Sequence, residues 1–168
     1  AQEIGKAGKR VLLIDADLRK SAYIVRYKVK RSVKGLSEFL SGQASESEIK
    51  YTTNFQNVDI IFSGPSAPNP SELLEDTAFG ELMKKVRREF DFVLLDTPPV
   101  MTVIDAAVIA KESDGAVLIV ESGRVSYKAA QKALEQIRKS DCKVLGAVLN
   151  KVDIKRDKYY SDYSSYYG

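Results

Sequence analysis

Histidine and tryptophan are absent from this 168-residue sequence, and Cys142 is its single cysteine. With one thiol no disulfide framework can form, which fits a reducing compartment. A zinc site built from His and Cys ligands is excluded as well. No apolar run is long enough to span a bilayer. The opening residues, AQEIGKAGKR, are polar and lack the apolar centre of a secretory signal. A phosphate-binding loop of the form G-x-x-x-x-G-K-[ST] is also missing, since Gly5-Lys6-Ala7-Gly8-Lys9 has neither its spacing nor a following Ser or Thr. Acids are missing locally: between Arg19 and Lys34 there are seven basic residues (Arg19, Lys20, Arg26, Lys28, Lys30, Arg31, Lys34) and no Asp or Glu, in a chain whose net charge is only +3. Such a run is either a solvated loop or a contact for phosphates, acidic lipid or an acidic partner.

What is present is an alternation. Five apolar, β-branched-rich runs predict strands at VLLID (11–15), VDIIF (58–62), FVLLD (92–96), AVLIV (116–120) and VLGAVLN (144–150). Their near-continuous hydrophobicity suits a mostly parallel sheet covered on both faces. Helices are predicted at about 71–89, 103–113 and 126–140. The first opens with Asn69 as N-cap, Pro70 at the first helical position and Glu72 behind it. Ala130, Ala133, Leu134 and Ile137 recur at helical spacing in the last. The fold class is therefore α/β, a doubly wound and mostly parallel sheet in one domain of residues 1–154. Residues 20–56, with a short helical GLSEFLSG unit, read as an insertion on that sheet. AQEIGKAGK reads as the last turns of a helix stopped at Gly8. Residues 155–168, KRDKYYSDYSSYYG, hold five tyrosines and no aliphatic side chain, and are expected to form a flexible tail.

Open parallel sheets bind ligands beyond the carboxyl ends of their strands. Two strands end there in acids: VLLIDADLR supplies Asp15 and Asp17, and FVLLDTPP supplies Asp96. If the first strand continues past Asp15, Asp15 and Asp17 share a face. Singly, each Asp is as well explained as a cap of the next turn. Together, three carboxylates at neighbouring strand ends make an oxygen-rich site suited to Mg²⁺, which commonly bridges nucleotide phosphates. Pro98 and Pro99 stiffen the turn after Asp96. Arg19 is a candidate for nucleotide phosphate or, equally, for a salt bridge to Asp17 or another acid.

Six segments, VLLIDADLRKS, GLSEFLSG, PNPSELLE, FDFVLLDTPPV, IDAAVIAKESDGAVLIV and VLGAVLNKVD, together resemble the cytoplasmic protein-tyrosine kinases of bacterial capsule and exopolysaccharide systems. The resemblance covers essentially the whole chain, including the tyrosine-rich tail, and places the fold in the P-loop NTPase class of MinD/ParA type, without its first strand and loop. It implies that IDADLR is the Walker A′ motif and LLDTPP the Walker B motif. Asp15, Asp17 and Asp96 then hold hydrated Mg²⁺ beside ATP, and Asp15 takes the proton from the attacking tyrosine, whose hydroxyl pKa of about 10 makes it a poor nucleophile unaided. It further implies autophosphorylation of Tyr159, Tyr160, Tyr163, Tyr166 and Tyr167 by a neighbouring subunit of a ring-like homo-oligomer. A membrane-anchored activator of the polysaccharide co-polymerase type, a protein-tyrosine phosphatase and a cytoplasmic location at the inner membrane face follow from the same resemblance, with no nucleic acid expected. Without the loop, these 168 residues are expected to bind ATP weakly or not at all. Ser21, where many relatives place Pro, is expected to matter little. Two rivals remain: a MinD/ParA-like ATPase, and a non-catalytic regulatory module that has lost nucleotide binding.

Overall fold

A computed structural model describes residues 1–21, 23, 33–100 and 105–153. The predicted alternation is present, with strands β1 (Val11–Asp15), β2 (Lys50–Thr52), β3 (Val58–Ile61), β4 (Phe92–Asp96), β5 (Ala116–Glu121) and β6 (Val144–Asn150). The helices are α1 (Gln2–Lys6), α2 (Leu36–Leu40), α3 (Glu46–Ile49), α4 (Pro70–Glu75), α5 (Thr77–Glu89), α6 (Asp105–Lys111) and α7 (Tyr127–Lys139). Strand order is β2-β3-β1-β4 in one sheet and β5-β6 in a second. β1 runs parallel to both β3 and β4, with Ile14 opposite Ile61 and Asp15 opposite Asp96. β5 and β6 are also parallel.

Two expectations need correction. Residues 20–56 are not simply an insertion, because β2 joins the sheet as an antiparallel edge strand with Tyr51 opposite Ile60. The helix expected over 71–89 is broken at Asp76, which sits in extended backbone and whose side chain accepts from the Ala78 amide. An Asp that captures the first free amides of a following helix satisfies donors the helix cannot, so the chain restarts there.

The core lies between the larger sheet and its helices. Leu12, Ile14 and Ile61 from the strands meet Phe79, Leu82 and Val86 of α5, all fully buried. Positions 79, 82, 83 and 86 are one helical stripe, which is why α5 buries one face and exposes Arg87 and Arg88 at its end. A smaller cluster, Ala110, Ile137 and Cys142 with Ala116, Leu118 and Val144, seats α6 and α7 on the β5-β6 sheet. Val117 and Ile119 on the other face of β5 remain exposed.

Helix α1 is held close to the loop before β3. A Cβ on Gly5 would stand 2.3 Å from the Gln56 carbonyl oxygen. The Asn57 side chain donates to the Gly5 carbonyl at 3.1 Å. Gly8 follows in the left-handed region (φ 82°), so the chain turns into β1 where the sequence places the stop.

Candidate functional site

The parallel register of β1 and β4 sets the carboxyl ends of both strands side by side. Asp15 and Asp96 are direct register partners, and the Ala16 amide donates to the Asp96 carbonyl at 2.8 Å. Asp15 is buried, Asp17 half-buried and Asp96 exposed. The Asp15 carboxylate accepts from the Ser21 hydroxyl at one oxygen and from the Asp17 amide, at 3.3 Å, at the other. Burial pushes its pKa up from the ordinary value, and the nearby Asp96 carboxylate adds to this, against hydrogen bonds from Ser21, Asp17 and Ser63 that lower it.

Asp17 does not continue the strand. β1 ends at Asp15, and one Asp17 oxygen accepts from the amides of Arg19 (3.1 Å) and Lys20 (3.0 Å). The carboxylate thus closes its own turn, the Asx geometry that competes with extended backbone. Asp17 therefore stands in the turn after β1 rather than on the strand's face, and among the described residues no group of three His, Cys, Asp or Glu side chains is arranged to hold a metal ion. A pair of adjacent acids nevertheless suits Mg²⁺, which takes one or two protein carboxylates and fills its remaining positions with water and phosphate. Asp15 and Asp96 are such a pair, and a divalent cation would relieve the repulsion between them.

Arg19 is occupied by a partner the sequence did not single out. Its Nε donates to Asp105 Oδ2 at 2.7 Å and its Nη2 to Asp105 Oδ1 at 3.1 Å. Of the two readings of Arg19, the salt bridge to an acid is the one the structure displays. Ser71 donates to the same Oδ1 at 2.6 Å. Burial alone would raise the Asp105 pKa, but the donors from Arg19 and Ser71 outweigh it and hold the carboxyl below its usual range.

A cleft of about 200 Å³ beside these acids is lined by Asp17, Arg19, Lys20, Ser21, Ser63 and Ser66 among others. Its far wall is the turn after β3, fixed where Ser66 donates to the Arg19 carbonyl at 3.1 Å and the Ala67 amide to the Leu18 carbonyl at 3.0 Å. Ser21, Ser63, Ser71 and Asp105 are the polar groups that sequence reasoning missed. Ser21 in particular, expected to matter little, touches the buried acid directly. Among the described residues, Arg19 and Lys20 of the basic run line the cleft; Lys34 is paired with Glu48 at 2.6 Å, and Arg26, Lys28, Lys30 and Arg31 lie outside the described residues. The five tail tyrosines Tyr159, Tyr160, Tyr163, Tyr166 and Tyr167 lie outside them as well.

Comparison with known proteins places this geometry in context. A family model described as an AAA domain matches residues 1–150. The chain is 38% identical over 159 residues to the tyrosine-protein kinase CpsD of Streptococcus pneumoniae serotype 4, covering 95% of this chain and 70% of that protein. It superposes on the crystal structure of the chimerical protein CapA2B2 with a TM-score of 0.85 and 33% identity, covering 90% of this chain and 67% of that one. The septum site-determining protein MinD of Pyrococcus horikoshii OT3, solved with Mg-ADP, matches with a TM-score of 0.74 at 23% identity, covering 92% of this chain and 62% of that one; this is a likeness of fold.

Proposed function

Because this chain belongs to the AAA-domain family of bacterial tyrosine-protein kinases, we propose that it carries the acidic half of a phosphoryl-transfer site, which moves the γ-phosphoryl group of ATP to protein tyrosines. The fold is the mostly parallel α/β sheet of MinD/ParA-like P-loop NTPases, and the family's activity is protein-tyrosine phosphorylation. One observation carries the assignment of residues: Asp15 and Asp96 lie in register at adjacent carboxyl ends of parallel strands, with the Asp17 turn beside them.

In this reading Asp15 and Asp96 hold Mg²⁺, which supplies charge neutralisation at the ATP phosphates when bound. Asp17 orders the turn through one oxygen and lines the cleft beside the pair. Transfer forms a bond between the tyrosine oxygen and the γ-phosphorus as the bond to the β-phosphate oxygen breaks, releasing ADP. The tyrosine proton passes to the Asp15 carboxylate, whose pKa burial raises above the ordinary value. The acceptors are Tyr159, Tyr160, Tyr163, Tyr166 and Tyr167 of a neighbouring subunit. Each added phosphate contributes about −1.5 to −2 charges, enough to release a docked tail.

The setting we propose is control of capsule or exopolysaccharide export, with a membrane-anchored activator and an opposing phosphatase as partners. Among the described residues no helix is long and apolar enough to cross a membrane; the membrane contact in this reading is made with the activator. The alternative of a MinD-like positioning ATPase rests on fold likeness alone.

The test is Mg-ATP-dependent labelling of the full-length natural protein, with phosphosites mapped by peptide sequencing. Asp15→Asn is expected to lower the rate by about 10²-fold or more while the protein remains folded, with label confined to residues 159–167. Full activity of Asp15→Asn, or label outside the tail only, refutes the proposal.

A further inference from the structure

The Arg19–Asp105–Ser71 cluster ties together three loops that leave the carboxyl ends of three adjacent strands. Asp105, the first residue of α6, follows β4; Ser71, in the first turn of α4, follows β3; Arg19 follows β1. Asp105 is wholly buried, yet both its oxygens are filled, one by Arg19 Nε and the other by Arg19 Nη2 and Ser71 Oγ. Arg19 Nη2 also reaches Ser71 Oγ at 3.3 Å, closing the triangle. Among the described residues no buried side-chain polar atom is left without a partner.

Arg19 is equally constrained through its backbone. Its amide is held by Asp17 Oδ1 and its carbonyl by Ser66 Oγ. The bonds to Asp105 thus anchor the Arg19 side chain to α6 while its backbone belongs to the turn that carries Asp17, whose amide bonds Asp15. A planar guanidinium fork on a carboxylate fixes direction as well as distance, which a lysine ammonium does not. With the Arg19 side chain 40% exposed and only Asp105 buried, the pair is a poor source of net stability. What it does supply is one defined geometry.

We propose that Asp105, seconded by Ser71, is a positioning residue for phosphoryl transfer, acting through Arg19 to hold the Asp17–Lys20 turn against the Asp15–Asp96 pair. This rests on the assignment of those acids given above, and it adds a residue that touches neither of them. Displacement of a site turn by about 1 Å can cost on the order of 10²-fold in rate without destroying binding.

The experiment is steady-state phosphorylation by the full-length protein, with kcat and KM for Mg-ATP measured for Asp105→Asn, Arg19→Lys, their double variant, Ser71→Ala, Ser71→Thr, Asp17→Asn and Asp15→Asn. Melting curves are recorded alongside. Asp105→Asn and Arg19→Lys are each expected to lower kcat about tenfold or more with KM nearly unchanged, and the double variant to be no worse than the more affected single one. Ser71→Ala should give a smaller loss of kcat that Ser71→Thr restores. Wild-type kcat in Asp105→Asn, or multiplying losses in the double variant, overturns the inference. If Asp105→Asn fails to fold, Arg19→Lys and the Ser71 pair decide it, and unchanged kcat in all three overturns it. An inactive Asp17→Asn beside a fully active Asp105→Asn removes the positioning role alone. A fully active Asp15→Asn, the variant that tests the acids themselves, removes the site assignment beneath it.

Discussion

Gly35→Ala is expected to destabilise the protein far more than a one-carbon change ordinarily does. Gly35 caps the start of α2 in extended backbone (φ −145°, ψ −166°), so no conformational strain attaches to a side chain there. The cost is steric. A Cβ would stand 2.2 Å from the Gly64 amide nitrogen and 2.5 Å from both the Gly64 Cα and the Phe62 carbonyl oxygen. All three are backbone atoms, so no rotamer change makes room. The two segments are also bonded: the Leu36 amide donates to the Phe62 carbonyl at 2.7 Å and the Ser37 amide to the Ser63 carbonyl at 2.9 Å. Overpacking costs about 1–3 kcal/mol, and weakening two such hydrogen bonds adds about 0.5–1.5 kcal/mol each. A loss near 3 kcal/mol follows, or a melting point lower by roughly 6–12 °C for a domain of this size.

Gly42→Ala is the control. Gly42 has φ 73° but nothing within 4 Å of the added carbon, so only backbone strain of about 1 kcal/mol is at stake. Chemical denaturation with unchanged m-value would report the difference directly. A Gly35→Ala protein that melts at the wild-type temperature, or no lower than Gly42→Ala, would refute the steric argument. Since Ser63 and Gly64 line the cleft beside Asp15, the same variant should lose kinase rate even at temperatures where it stays folded.

Further outcomes follow from burial and charge. Phe79→Ala, which empties a fully buried position in the first turn of α5, should cost about 3–5 kcal/mol in equilibrium denaturation; a loss under 1 kcal/mol would mean that the site collapses. Acid should destabilise the fold. The carboxyls of Asp91, Asp105 and Glu121 are held below their ordinary values, and that of Glu48, bonded by Lys34 and by Ser45, is held at about 2. Each contributes stability above its unfolded-state value near 4, which is lost as pH falls through its folded value. Asp15, raised by burial, works in the opposite sense. A melting point that does not fall between pH 6 and about pH 3 would show that Asp15 outweighs the other four. The Cys142 thiol is buried and its pKa raised by that burial, so a thiol-specific reagent should modify it only as the protein unfolds; rapid labelling of the native protein would contradict this.

Legibility in the sequence divided along the range of the interactions involved. β1, β4 and β6 fall at their expected bounds because each is a continuous apolar run, visible one residue at a time, although only β1 is buried along most of its length and β6 is largely exposed. β2 was invisible for the converse reason: Lys50–Thr52 is a three-residue edge with one polar partner per side, and only its pairing with β3 makes it a strand. The site divides in the same way. Asp15 and Asp96 were readable because each closes an apolar run, and the parallel register of β1 and β4 then brings them together. The condition on which Asp15 and Asp17 would share a face, a strand continuing past Asp15, is not met, because the Asp17 carboxylate has two amides within reach and the strand ends before it.

Asp105 fell unremarked inside the helix predicted at about 103–113, and nothing local distinguishes it from any other acid in a first turn. Its pairing with Arg19, 86 positions away, exists only because β1 and β4 are neighbours, which puts the loops that follow them at the same edge. The acids proposed for the chemistry stand at strand ends and can be found singly. The residues that orient them act across loops, and become visible only once the strand order is known.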